Sequence, residues 1–177
     1  SRFSRRPQID DARHHLVLLV KNEAGYRNLV KLVTKAHLEG FYYKPRVDEE
    51  LLAEHQEGLI AMTACIQGKI PRLAIAKKMD EALECARRYQ KIFGQENFFL
   101  EIQHHPNLPE QSPANEVLVE IARKTGIGLV ATNDIHYLDA DDMEAQDILM
   151  LINTGADINN PERLTMKGED FSMRSPQ

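Results

Sequence analysis

The stretch "GLVATNDIHYLDADD", residues 128–142, sets the reading of the fold. Gly128 to Thr132 form an apolar, β-prone run of the length of one strand. Two side chains with metal affinity, Asp134 and His136, follow it. Then comes a helical pattern through Met143, Ile148, Leu151 and Ile152. A strand that empties into polar side chains and then a helix is a βα unit. If the backbone stays extended past Thr132, Asp134 and His136 share strand parity and point to one side. The competing reading makes Asp134 a helix cap and packs His136 beside Tyr137, and spacing alone does not overturn it.

Outward from this stretch the same rhythm recurs. "HLVLLVKN" (15–22) reads as a buried strand. Asn22 is a suitable N-cap for a helix whose Tyr26, Leu29, Val30, Val33 and His37 share a face, with Gly40 as its stop. "GFYYKPRV" (40–47) reads as a loop. "GLIAMTAC" (58–65) is a strand, followed by a helix aligning Met79, Ala82, Leu83, Ala86 and Phe93. "NFFLEIQ" (97–103) is another, followed across a Pro-rich turn by a helix using Val117, Leu118, Ile121 and Ala122. Alternating strands and helices indicate an α/β fold with parallel strands. Periodicity does not choose between an open sheet and a closed barrel. From Thr154 the rhythm stops, and "TGADINNPERLTMKGEDFSMRSPQ" reads as a linker or the margin of another domain.

The totals narrow the class. With 177 residues, 42% hydrophobic and 28% charged, the chain has the balance of a soluble globular domain. No apolar run is long enough for a membrane span, and "SRFSRRPQIDD" is basic without the apolar stretch of a signal peptide. A cytoplasmic location is expected. A net charge of −5 argues against a general nucleic-acid grip but is compatible with a site that handles one strand end. Trp is absent and aromatics are 6%, which disfavours a stacking platform for single strands. Cys65 and Cys85 show no CxxC pairing, so no disulfide framework is expected.

In parallel α/β folds, sites gather at the C-terminal strand ends. Cys65 ends one predicted strand, Gln103, His104 and His105 end another, and Asp134 and His136 a third. His14 and His15 open the first. A carboxylate beside an imidazole suits zinc, manganese or iron, and a Cys65 thiolate would bias the choice to zinc. Otherwise Cys65 is a small buried hydrophobe. Parity puts His105 with Gln103 and Glu101, and His104 opposite. Cys85 reads as core, and His37 and His55 as surface. Lys44 and Arg46 suit a surface turn better than a phosphate site. There is no HxH, HExxH, glycine-rich phosphate loop or G-x-S-x-G.

The segments "HLVLLVKNEAGYRNLVKLV", "EGFYYKPRV", "EGLIAMTACIQGKIPRL", "FFLEIQHH", "LPEQ" and "LVATNDIHYLDADDMEAQDILMLINTG" occur here in one order. In that order they resemble the polymerase and histidinol phosphatase (PHP) domain of bacterial DNA polymerase III alpha subunits, from about residue 12 onward. The resemblance implies part of a distorted seven-stranded β/α barrel, TIM-like, with up to three zinc or manganese ions at its strand ends. His15, Cys65, Asp134 and His136 fall where family metal ligands fall. His105 matches a histidine of the family's "LEIQ" segment.

The resemblance also implies a partial PHP domain over 1–153, with 154–177 as a linker toward a polymerase core. The family pattern opens with an HxH strand, an Asp-His pair and a glutamate that do not occur in this chain. About half the ligands and about three strands are therefore expected to be absent, and weak or no catalysis is expected of these 177 residues alone.

For the whole protein the resemblance implies DNA replication, a DNA-directed DNA polymerase (a nucleotidyltransferase) and metal-dependent 3′–5′ exonuclease or phosphoesterase chemistry in the PHP domain. Its expected partners are DNA, the proofreading exonuclease subunit and other replicase subunits. The alternatives are a non-catalytic platform that braces the polymerase and contacts the proofreading exonuclease, and a free-standing histidinol-phosphatase-like enzyme. "GYRNLVKLV" and "ATNDIHYL" disfavour the last.

Overall fold

The structure, a computed structural model, describes residues 1–7 and 13–175. Its elements run β1 (Val17–Val20), α1 (Glu23–Leu38), α2 (Glu49–Glu54), β2 (Leu59–Met62), α3 (Lys69–Ile75), α4 (Met79–Phe93), β3 (Phe98–Gln103), α5 (Gln111–Thr125), β4 (Gly128–Thr132) and α6 (Met143–Thr154). The four strands form one sheet in the order β1-β2-β3-β4. β2, β3 and β4 are parallel, as the alternation predicts.

β1 corrects the parallel expectation. It pairs antiparallel with β2, Val17 facing Met62 and Val20 facing Leu59. It also corrects the buried-strand reading, because Leu19 is 48% and Val20 43% exposed. A strand covered on both faces belongs in a parallel sheet, whereas an edge strand can run either way. Element order carries no information about which way it runs.

The core is built on β3. Phe98 is fully buried, with its ring 5.7 Å from Tyr89 and 6.5 Å from Phe93. Leu59, Ala61, Leu100, Leu118 and Ile121 complete its centre. The faces predicted for the helices at 79–93 and 111–125 are the buried ones, and Cys85 is core as expected. His55, by contrast, is half-buried rather than a surface residue. α2 and α3, of six and seven residues, are too short for periodicity to reveal.

Helix α1 is where predicted, and Asn22 caps it by accepting from the Gly25 amide at 3.0 Å. Its buried side, however, is Gly25, Leu32 and Ala36, while Tyr26, Val30 and Val33 are each about half exposed. The cause is a backbone contact. A Cβ on Gly25 would stand 1.9 Å from the Gly58 carbonyl oxygen, and Gly58 has φ +73°. Two glycines let the helix land on the turn before β2, and that landing sets its rotation. Gly25→Ala should overpack this contact and cost about 1–3 kcal/mol. The denaturation midpoint should fall at unchanged slope, and an unaltered midpoint would contradict the close approach.

Candidate metal centre

Parallel pairing brings the C-terminal ends of β2, β3 and β4 to one edge of the sheet. The reversal of β1 brings its beginning to the same edge. With Val17 opposite Met62, His15 falls beside the residues just after β2. The His15 amide donates to the Gln67 carbonyl at 3.2 Å, and its Nδ1 lies 3.8 Å from Cys65 Sγ. A parallel β1 would have put His15 at the opposite edge. The antiparallel direction of β1 is thus what sets His15 beside Cys65.

Cys65 leaves β2 through a strained corner. Ala64 is buried with φ +62°, a left-handed conformation that costs an L-residue energy. Gly68 closes the turn, since a Cβ there would meet the Thr63 carbonyl oxygen at 1.9 Å. Burial pushes the Cys65 thiol up, and the negative charges of Asp134 and Glu101 push the same way. To ligate a metal it must give up a proton it holds firmly.

Asp134 and His136 meet by a route other than strand parity. β4 ends at Thr132, and Asp134 has φ +49°. The chain therefore turns left-handed where the parity argument assumed extension. His136 then folds back, its Nδ1 lying 2.6 Å from the Asp134 backbone carbonyl. A carbonyl only accepts, so Nδ1 carries a hydrogen, and in the neutral ring the lone pair is the one on Nε2. Backbone-anchored imidazoles of this kind are typical of metal ligands.

The segment after α6 fastens this loop. The His136 amide donates to the Phe171 carbonyl at 2.9 Å, Asn133 Nδ2 to the Ser172 carbonyl at 2.7 Å, and the Phe171 amide to the Tyr137 hydroxyl at 3.0 Å. Residues 171–173 thereby return to the strand-end edge of the sheet.

The return is stapled to α6 through Asp147. The apolar face predicted for α6 is another correction. Ile148 and Ile152 are exposed, and Asp147 is the buried residue. Arg163 forks onto its carboxylate with two bonds of 2.7 Å, and Thr165 donates at 2.7 Å. The Arg163 and Thr165 hydrogen bonds hold this carboxyl far below the ordinary carboxylate range. A depressed folded pKa means stability present above the ordinary carboxylate pKa and lost as pH falls through the folded value. The staple should therefore be insensitive to pH near neutrality and open only in strong acid. Asp147→Asn should raise tryptic cleavage at Arg163 and Lys167 by roughly tenfold or more at neutral pH. Unchanged digestion would show that the return segment is held by something else.

His15, Cys65, Asp134 and His136 all line one cleft of about 380 Å³. Apolar side chains also line it, among them Leu108, Met150, Leu164, Met166 and Phe171. Two imidazoles, a thiol and a carboxylate are the donor chemistry that suits zinc. They come as two pairs, His15 with Cys65 and Asp134 with His136. Among the described residues no three His, Cys, Asp or Glu side chains converge closely enough to hold one ion. A larger cleft of about 620 Å³ is lined by Arg46, Asp48, Glu49 and Lys69. Lys69 pairs with Glu49 at 2.9 Å, and Arg46 donates to the carbonyls of Gly40 and Ser4. Arg46 is a loop clamp, as the surface-turn reading has it.

Sequence reasoning left Glu101, Gln103 and Gln111 out of the site. All three are at most 5% exposed, as is His105. Glu101 Oε1 accepts from Thr132 and Gln103, while Oε2, Gln103 Oε1, both His105 ring nitrogens and Gln111 Oε1 are buried without protein partners. The signal was visible as polar residues at 101, 103 and 105 along one buried strand face. Orphaned buried polar atoms are rare in native proteins, and such atoms call for a partner, whether water, an ion or a ligand group.

A family model described as the PHP domain matches residues 3–105. The chain is 46% identical, over its full length, to the DNA polymerase III subunit alpha of Treponema pallidum (strain Nichols), covering 15% of that protein. Over its full length it is also 43% identical to the subunit of Thermus aquaticus and 40% identical to that of Aquifex aeolicus (strain VF5), covering 14% and 16% of them. The chain thus spans about one-seventh of the length of these relatives.

Proposed function

The chain belongs to the PHP domain family, and from that premise we propose that it is a segment of a replicative DNA polymerase III alpha subunit. In this reading residues 1–153 are part of a PHP barrel and 154–177 lead toward the polymerase core. The intact polypeptide works on DNA in the cytoplasm with a proofreading exonuclease and other replicase subunits. The PHP domain removes 3′ nucleotides as a metal-dependent phosphoesterase. The observation that carries the chemistry is the gathering of His15, Cys65, Asp134 and His136 on one cleft from the ends of three strands, β1, β2 and β4.

Zinc or manganese bound there supplies Lewis acidity that activates water and offsets charge developing on the phosphate. The chain's own residues orient and exclude. His136 presents Nε2 because the Asp134 carbonyl holds Nδ1. Cys65 and His15 stand together at the end of β2. Phe171 packs its ring edge-to-face with His136 at 5.5 Å, and with Met150 it lends the cleft apolar lining. Closing the shell of each ion needs further donors, from solvent, substrate or elsewhere in the polypeptide.

The test is release of the terminal nucleotide from 3′-labelled DNA by the intact polypeptide. Release should stop on chelation and return with zinc or manganese, while these 177 residues alone should show little. One observation favours a second reading, a structural platform bracing the polymerase and contacting the proofreading exonuclease: no three donors converge among the described residues. Metal-independent behaviour of the intact polypeptide would select that reading.

A further inference from the structure

The unpartnered atoms behind the candidate ligands have a defined polarity. Asn115 Nδ2 donates to the Gln103 backbone carbonyl at 2.7 Å, so Asn115 Oδ1 must face Gln111. Gln111 then has to present Nε2 to it, at 2.9 Å, which leaves Gln111 Oε1 on the other side. Gln103 is fixed in the same way. Its Nε2 lies 3.1 Å from Thr132 Oγ1 and 3.4 Å from Glu101 Oε1, and a carboxylate beside it tolerates only a donor. Neither amide can be flipped without setting oxygen against oxygen. Gln103 and Gln111 both line the cleft, each 4% exposed, with their Oε1 atoms unpartnered. His105, 3% exposed, lines it too, its ring 4.7 Å from that of Phe171 and both ring nitrogens unpartnered.

We propose that the amide oxygens of Gln103 and Gln111, beside the His105 ring, form an acceptor subsite that recognises a hydrogen-bond-donating group of the nucleotide, a sugar hydroxyl or a base amino group, and not its phosphate. A phosphate offers only acceptors and would face two amide oxygens in a buried place. A hydroxyl or amino group satisfies them and removes the cost of leaving them unpaired. The apolar side chains that share the cleft, Leu108, Met150, Leu164 and Met166 among them, suit the carbon face of a sugar or the plane of a base. This subsite rests on the reading that the cleft takes a nucleotide, and it adds what part of the nucleotide is read there.

The test is calorimetric titration of the intact polypeptide, supplied with zinc or manganese, with three ligands. They are deoxyadenosine 5′-monophosphate, its 2′,3′-dideoxy analogue, and the purine deoxyriboside 5′-monophosphate without the amino group. One analogue should bind roughly ten- to a hundredfold more weakly than the parent, and the one that weakens identifies the donor. In Gln103→Met/Gln111→Met that ratio should fall to about one. Equal binding of all three, no binding of the parent, or a ratio unchanged in the variant overturns the subsite. The analogue series needs no substitution, so it decides even if the variant does not fold. Donor-dependent binding without DNA hydrolysis would remove the exonuclease reading and keep the subsite. Hydrolysis with equal binding of all three would do the reverse.

Discussion

Replacing Asp134 and His136 together by alanine should lower metal-dependent 3′-nucleotide release by the intact polypeptide more than about 100-fold. DNA synthesis by the same polypeptide should be spared. The two residues form one unit, because the Asp134 backbone both bends the chain left-handed and anchors the His136 ring. Their loss removes a carboxylate and an imidazole from one side of the cleft and leaves only the His15–Cys65 pair on the other. His136→Ala alone should cause most of the loss, since residues acting as a unit are not additive. Measured on 3′-labelled DNA with and without chelator, an unchanged rate in the double variant would mean that this edge of the sheet does not catalyse.

Phe98→Ala should be the most damaging change to the fold, at about 3–5 kcal/mol. Phe98 is fully buried at the start of β3 between Tyr89 and Phe93, and it links the α4 layer to the centre of the sheet. The cavity left behind is walled by two aromatic rings on one helix, which cannot both move in. Hydrogen exchange of the β2–β4 amides should lose roughly two to four decades of protection. Phe98→Leu, which keeps most of the volume, should lose well under half as much. Equal effects from the two substitutions would mean that the rings do not pack as described.

How legible these features were depended on where they sit. β3 was readable because its apolar run is buried in the core, and α4 and α5 because one apolar stripe of each meets that core. Elements at the margins were not. Direction is invisible in "HLVLLVKN", since an edge strand is apolar whichever way it runs. α1 carries apolar residues around most of its circumference, and a contact between Gly25 and Gly58, which no hydrophobic pattern reports, chose its inner face. α6 hid its anchor because a buried aspartate is read as surface unless its arginine, sixteen residues on, is known to return.

The site divides in the same way. Asp134 and His136 were candidates by strand end, parity and resemblance; the parity premise fails at Asp134, where the chain turns left-handed, and both residues line the same cleft. His15 and Cys65 were placed by strand ends and by resemblance, and antiparallel pairing is the physical reason they meet. The amides of Gln103 and Gln111 could not be assigned from sequence, because their orientation depends on Asn115, Thr132 and Glu101, which only the fold brings near.

The central claim is that the strand-end cleft holds metal through His15, Cys65, Asp134 and His136. Elemental analysis of the purified intact polypeptide addresses it most directly, alongside its Cys65→Ser and Asp134→Ala/His136→Ala variants. The expected result is zinc or manganese bound to the unaltered polypeptide and lost in step with these substitutions. A polypeptide that carries no metal, or carries the same amount in all three forms, would contradict it.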